Sequence, residues 1–210
     1  MRFRRGGALW AAAGVALASC GGPLSNGYSP SLQFPQAKGV RHAACYATPQ
    51  QPKTVTATIT FYGWPDNTPP GNKIAHPVVH RVASGDGTWC NPTTFATEPS
   101  NGAQFPYGVK IYVPFLRQYF VREDDCTPSG PKSGSGSNGC YKIWFDLWIG
   151  GNAKSDFKSV VACERSLTPN AKVQVVVNPA ANLPVNLPGP LYRDAPPPYG
   201  TCYGKPGRPI

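Results

Sequence analysis

The ten residues TVTATITFYG, 54–63, put Val55, Ala57, Ile59 and Phe61 on one side of a period of two and Thr56, Thr58, Thr60 and Tyr62 on the other. A helix would scatter both sets around its circumference; an extended strand separates them. Strand patterns recur at 109–115, 119–122, 141–149, 160–163 and 172–177, parted by Gly, Pro and Asn. No long amphipathic helical pattern interrupts them. Six short strands predict an all-β domain over 54–178, a length sufficient for one core. Closure into a six-stranded barrel removes the exposed strand edges. Pro114 must end its strand or lie at an edge.

The flanks read differently. Residues 1–19 carry Arg2, Arg4 and Arg5 ahead of an apolar run from Ala8 to Ala18, the pattern of a bacterial-type export signal. The run is too short for a membrane-spanning helix. It ends in Leu17-Ala18-Ser19-Cys20, which resembles a lipobox and makes Cys20 the expected lipid-attachment site; the alternative is an ordinary signal cut near Ala18. Residues 20–53, rich in Pro, Gly, Ser and Gln, read as a tether and lead-in. Residues 179–210 are proline-rich, so helix and central strand are disfavoured and an extended surface tail is expected.

Setting Cys20 aside leaves Cys45, Cys90, Cys126, Cys140, Cys163 and Cys202, an even number that in an exported chain predicts three disulfides. Sequence does not choose among the pairings. Cys126 with Cys140 or Cys163 is a local option, and position alone offers Cys45 with Cys202. There is no CxxC, which argues against redox or zinc-ribbon chemistry. Net charge is +10; without the three leader arginines, 17 basic residues face 10 acidic ones. The basic residues are scattered, so no nucleic acid is expected as a partner; a mild attraction to anionic envelope surfaces is.

Period two also sorts KIWFDLWIG, 142–150. Ile143, Phe145, Leu147 and Ile149 form an apolar face, while Lys142, Trp144, Asp146 and Trp148 share the other. A carboxylate between indoles suits a sugar-handling groove, where flat rings stack on pyranose faces and the acid addresses hydroxyls or the glycosidic oxygen. The plain structural alternative has both tryptophans packed under a loop and Asp146 capping a turn. FYGWPDNTPPG, 61–71, adds Tyr62, Trp64 and a second carboxylate, Asp66, in a sequence that is also good turn chemistry. VREDDC, 121–126, adds Asp124 and Asp125, which alternation sends to opposite sides; they serve equally as partners for Arg117 and Arg122. His76 and His80 have helix-like spacing, but Pro77, Val78 and Val79 between them disfavour a helical metal site. No metal or cofactor is expected, and no nucleophile elbow or phosphate-cradling glycine motif occurs.

Taken in order, TFYGWPDNTPPG, IYVPFLRQYFVREDDC, KIWFDLWIGG and ACERSLTP resemble the double-psi β-barrel superfamily over 54–169. That superfamily includes expansins, barwin-like proteins, rare lipoprotein A (RlpA-like) and family 45 glycoside hydrolases; small secreted microbial members are the nearest in pattern. The strand aspartate also resembles the three-aspartate segment of MltA-type lytic transglycosylases. The resemblance implies a double-psi barrel with Asp146 as proton donor, Tyr62 as the opening-strand tyrosine, Asp66 near the opening acid and Asp124 or Asp125 as the middle aspartate. Two departures stand out: Trp144 occupies the histidine position, and the opening acid does not directly follow the tyrosine.

The expectation is therefore an exported, lipid-anchored, monomeric barrel of the bacterial envelope. It engages cell-wall polysaccharide, either peptidoglycan or plant glycan, through Tyr62, Trp64, Trp144 and Trp148. If catalytic, it acts as a glycoside hydrolase or lytic transglycosylase with Asp146 as general acid and Asp66, Asp124 or Asp125 as second acid. The alternatives are a non-catalytic binder, either an expansin-like loosening protein or an inhibitor of a secreted enzyme, and a purely structural envelope lipoprotein.

Overall fold

The computed structural model describes Cys45 and residues 51–126, 143–186, 188–194 and 200–204, all within the unit Val40–Ile210. The leader, Cys20, most of the lead-in, the 129–139 loop and Cys140 lie outside the described residues. Six strands close into a barrel: β1 (Lys53–Tyr62), β2 (Thr93–Thr97), β3 (Lys110–Val113), β4 (Gln118–Asp125), β5 (Trp144–Trp148) and β6 (Val173–Val177). Around the barrel the order is β1-β5-β2-β4-β3-β6. β1·β5 and β2·β4 are parallel; the other four pairings are antiparallel.

The alternation of β1 decides the core. Val55, Ala57, Ile59 and Phe61 are all buried, in one cluster with Phe145, Leu147 and Ile149 of β5 and the loop after it, Val175 and Val177 of β6, and Phe95, Ile111 and Phe120. Phe145 meets the rings of Phe95 and Phe105 edge-on at 5.2 and 5.0 Å, a favourable aromatic geometry. β3 stops at Val113, one residue before Pro114.

Two expected elements change. Residues 160–163 are not a strand; they lie in α1 (Phe157–Leu167). Asp156 caps the helix by accepting from the Ser159 amide, and Val160, Cys163, Glu164 and Leu167 repeat at helical spacing to bury one stripe. The β-branched pair Val160-Val161 favours a strand locally, but the cap and the buried stripe outweigh that weak preference. The sixth barrel strand is instead β2, five buried residues.

The C-terminal segment does more than wrap the surface. Leu191 and Tyr192 are buried in the main core, and β7 (Tyr192–Arg193) pairs antiparallel with β8 (Thr201–Cys202). Tyr119 Oη donates to the Ala180 carbonyl at 2.7 Å and Tyr112 Oη to the Pro184 carbonyl at 2.8 Å, so extended backbone is satisfied by side chains of the β3–β4 hairpin. Cys202 is disulfide-bonded to Cys163 of α1, and Cys45 to Cys90. These bonds correct the Cys45–Cys202 and Cys126–Cys163 options: the tail is tied to the helix, and the lead-in to the β1–β2 loop. Cys126 is also disulfide-bonded. No helix among the described residues is long and apolar enough to cross a membrane.

Candidate active site

The parallel β1·β5 pairing sets Thr58 beside Trp144, Thr60 beside Asp146 and Tyr62 beside Trp148. The non-core faces of both strands thereby merge. Thr60 Oγ1 donates to Asp146 Oδ1 at 2.8 Å, and Trp144 Nε1 donates to Thr60 Oγ1 at 2.8 Å. One threonine thus links indole to carboxyl. Asp146 keeps part of its surface in contact with solvent, yet it receives no backbone amide among the described residues. Burial, only partly offset by the Thr60 bond and reinforced by the charges of Asp66 and Asp124, pushes its carboxyl up to about 7.

The four aromatic side chains separate by burial. Tyr62 and Trp148 are 8% and 4% exposed and meet edge-on at 5.2 Å inside a second apolar cluster with Ile74, Ala83, Ala96 and Cys126. Trp64 and Trp144 are half-buried against that cluster. Of the four, only Trp64 and Trp144 present indole surface for stacking on a ligand without rearrangement.

The acids separate as well. Asp66 Oδ1 accepts from the Gly63 amide at 2.8 Å, closing the turn that leaves β1; burial raises its carboxyl, against the Gly63 amide and a bond from Glu164. Asp124 is more heavily engaged. Its Oδ1 accepts from the Ala75 and Asp125 amides, both at 3.0 Å, and its Oδ2 from Tyr62 Oη at 3.1 Å. Burial still raises it on balance, and burial with the Asp124 charge lifts the Tyr62 phenol well above its ordinary range. A bulge where β2 pairs β4, with Phe95 opposite Arg122 and Ala96 opposite Asp124, leaves Glu123 as the extra residue and re-aims the strand.

Asp125 belongs to another constellation. Its carboxylate takes His76 Nε2 at 2.9 Å, Tyr107 Oη at 3.0 Å and Arg122 Nη2 at 3.0 Å. The Tyr107 ring lies between His76, stacked at 3.8 Å, and the Arg122 guanidinium at 4.2 Å. Asp125 is the hub of this stack and has no bond to Asp146 or Asp66. Arg122 is fully buried and also donates to the Phe105 carbonyl.

Sequence reasoning missed Glu164. It is 7% exposed on the inner stripe of α1, next to Gly63 and Asp66. Burial, the Asp66 charge and a hydrogen bond to Asp66 push its carboxyl up to about 9. The helical spacing of Val160, Cys163, Glu164 and Leu167 would have placed this acid on a buried face. Among the described residues no three His, Cys, Asp or Glu side chains are grouped to hold a metal ion. The arrangement suits proton transfer: a near-neutral acid, Asp146, with other carboxyls in electrostatic range and two half-exposed indoles nearby.

Comparison with known proteins gives kinship without chemistry. A Dictyostelium discoideum protein, Uncharacterized protein DDB_G0273701/DDB_G0273221, is 34% identical over 141 residues, covering 67% of this chain and 58% of the relative. The chain thus spans less than two thirds of that protein's length. No solved structure matches the chain at a significant level. The family pattern described as the DDB_G0273701 N-terminal domain matches residues 54–203, taking in the barrel, α1 and both strands of the C-terminal pair. With well over half of its length inside that match, the chain belongs to the DDB_G0273701 N-terminal domain family.

Proposed function

We propose that this barrel binds or remodels a cell-wall-type polysaccharide through the face that carries Asp146. The observation that carries the reading is the state of Asp146 itself. It is a carboxyl raised to about 7, bonded by one hydroxyl, beside the half-buried Trp144 and in electrostatic range of Asp66 and Asp124. An acid near neutrality donates a proton to a leaving oxygen at physiological pH, and a nearby second carboxylate stabilises the developing positive charge or activates the attacking water. The closed order with parallel β1·β5 and β2·β4 pairs supports the finer fold reading, a double-psi barrel. Disulfides suit an oxidising compartment, in keeping with export and a lipid anchor at Cys20.

One observation favours a second reading, a non-catalytic binder or inhibitor. Asp124 is held by three donors and two of the four candidate aromatics are buried, which is how a scaffold uses such residues. Incubating the protein and Asp146→Asn with peptidoglycan and with plant cell-wall glycans separates the two. Soluble products lost in the variant mark an enzyme, and retention on the polymer without products marks a binder. Neither retention nor products removes the polysaccharide reading.

A further inference from the structure

Asp66 and Glu164 are two carboxyls that meet at Gly63, and the fold builds that meeting: Asp66 Oδ1 accepts from the Gly63 amide at 2.8 Å, and Glu164 Oε1 lies against the same glycine. Gly63 follows β1 where α1 packs on it: a Cβ there would lie 2.6 Å from Val160 Cγ1 and 3.4 Å from Glu164 Oε1. The missing side chain lets the helix come close enough for its acid to reach the Gly63–Asp66 turn. Two carboxylates in contact cannot both be charged, so the pair holds a proton. The donors decide which acid keeps it. Asp66 accepts from the Gly63 amide and is half-buried, so its charge is partly satisfied. Glu164 is more than nine-tenths buried, and among the described residues no N–H or hydroxyl reaches its Oε1.

We propose that Glu164 is a positioning residue of the Asp146 site: it keeps its proton, directs that O–H to Asp66 as a hydrogen-bond donor, and so holds Asp66 as the ionised partner of Asp146. This rests on the Asp146 face being the ligand-binding face. Asp124, bound by two amides and a phenol, then serves the architecture, while Asp66 is the second acid that meets ligand. Glu164 acts only through Asp66 and touches no ligand.

Carbon-13 NMR titration of the side-chain carboxyls in the free protein tests the proton assignment without any glycan. The expected result is Glu164 protonated at pH 7 with Asp66 ionised. Glu164→Gln keeps a donor and leaves the Asp66 midpoint near wild type, whereas Glu164→Leu removes it and moves that midpoint upward. A Glu164 carboxyl ionised at pH 7, or an Asp66 midpoint unmoved in Glu164→Leu, overturns the proposal. In the glycan retention assay run against pH, the Leu variant is expected to shift the acidic limb of the profile upward and the Gln variant to restore it; equal profiles for the two variants contradict a positioning role. A barrel that ignores every glycan but titrates as described loses the polysaccharide reading and with it the positioning role, leaving the proton assignment itself standing.

Discussion

Thr60 donates its hydroxyl proton to Asp146 while accepting from the Trp144 indole, both at 2.8 Å, because the parallel register of β1 and β5 sets Thr60 directly beside Asp146. Within this pair of strands, that hydroxyl is what steadies the Asp146 charge. It also orients the half-exposed indole beside the acid. The state of the acid and the position of the ring are therefore coupled through one side chain.

Replacing that hydroxyl tests the coupling. Thr60→Val keeps the shape and the β-propensity but removes both bonds. The Asp146 carboxyl should rise further above 7, because the Thr60 bond is what pulls it down. Stability should fall by about 2 kcal/mol, about 1 kcal/mol for each of the two bonds. Carboxyl titration by NMR and urea unfolding measure the two effects; an unchanged Asp146 midpoint would show that the hydroxyl does not control it.

Glu164 has a signature in stability. Its folded value of about 9 stands above its unfolded value of 4.5. Its stabilising contribution is therefore fully present below pH 4.5 and is lost as pH rises toward 9. The slope is at most about 1.4 kcal/mol per pH unit. Glu164→Gln removes the titration, so its unfolding free energy should decline less steeply between about pH 5 and pH 9 than that of wild type. Parallel curves for the two proteins would mean that Glu164 does not change protonation on unfolding in that range.

Barrel strands and core were legible from alternation because one face of each strand is buried and the pleat has a period of two. TVTATITFYG became β1 with its apolar set at the core, and the second face of KIWFDLWIG holds Trp144, Asp146 and Trp148 together. The illegible parts depend on contacts across the chain. α1 was hidden because Val160-Val161 has strand preference, while its helix is fixed by the Asp156 cap and by packing on β1. β2 is only TTFAT, too short to signal itself between Pro92 and Glu98. The burial of Tyr62 and Trp148 comes from Ile74 and Ala83 of the β1–β2 loop folding over them, which no local pattern encodes. Glu164 was lost with the helix that carries it.

That covering loop is fastened by a buried carboxylate. Glu123 Oε1 accepts from the amides of Val78, Val79 and His80, at 3.0, 2.5 and 2.7 Å. Its Oε2 takes His80 Nδ1 at 2.7 Å and Thr94 Oγ1 at 3.1 Å, while His80 Nε2 meets Asn91 Oδ1 at 2.9 Å. Burial works against both charges, yet the mutual bonds win: Glu123 is held below its ordinary 4.5 and His80 above its ordinary 6.5. The Glu123 contribution is lost as pH falls through its lowered value, and that of His80 as pH rises through its raised one. The pair should stabilise most between pH 4.5 and 6.5. His80→Ala should cost about 2 kcal/mol in that window and less on the alkaline side. Denaturant unfolding across pH measures this, and a pH-independent difference would show that the histidine acts by packing alone.

The claim on which the rest depends is that the Asp146 face engages polysaccharide. Its most direct measurement is the soluble product and polymer-bound protein left after incubation with peptidoglycan and with plant cell-wall glycans, for wild type and Asp146→Asn side by side. The amide keeps an acceptor for Thr60, so the variant should fold as wild type does. The account predicts that wild type is retained on one class of polymer and that Asp146→Asn loses product release, or loses retention if the face only binds. A folded wild-type protein that neither stays on nor cleaves any of these polymers, behaving the same as Asp146→Asn, would contradict it.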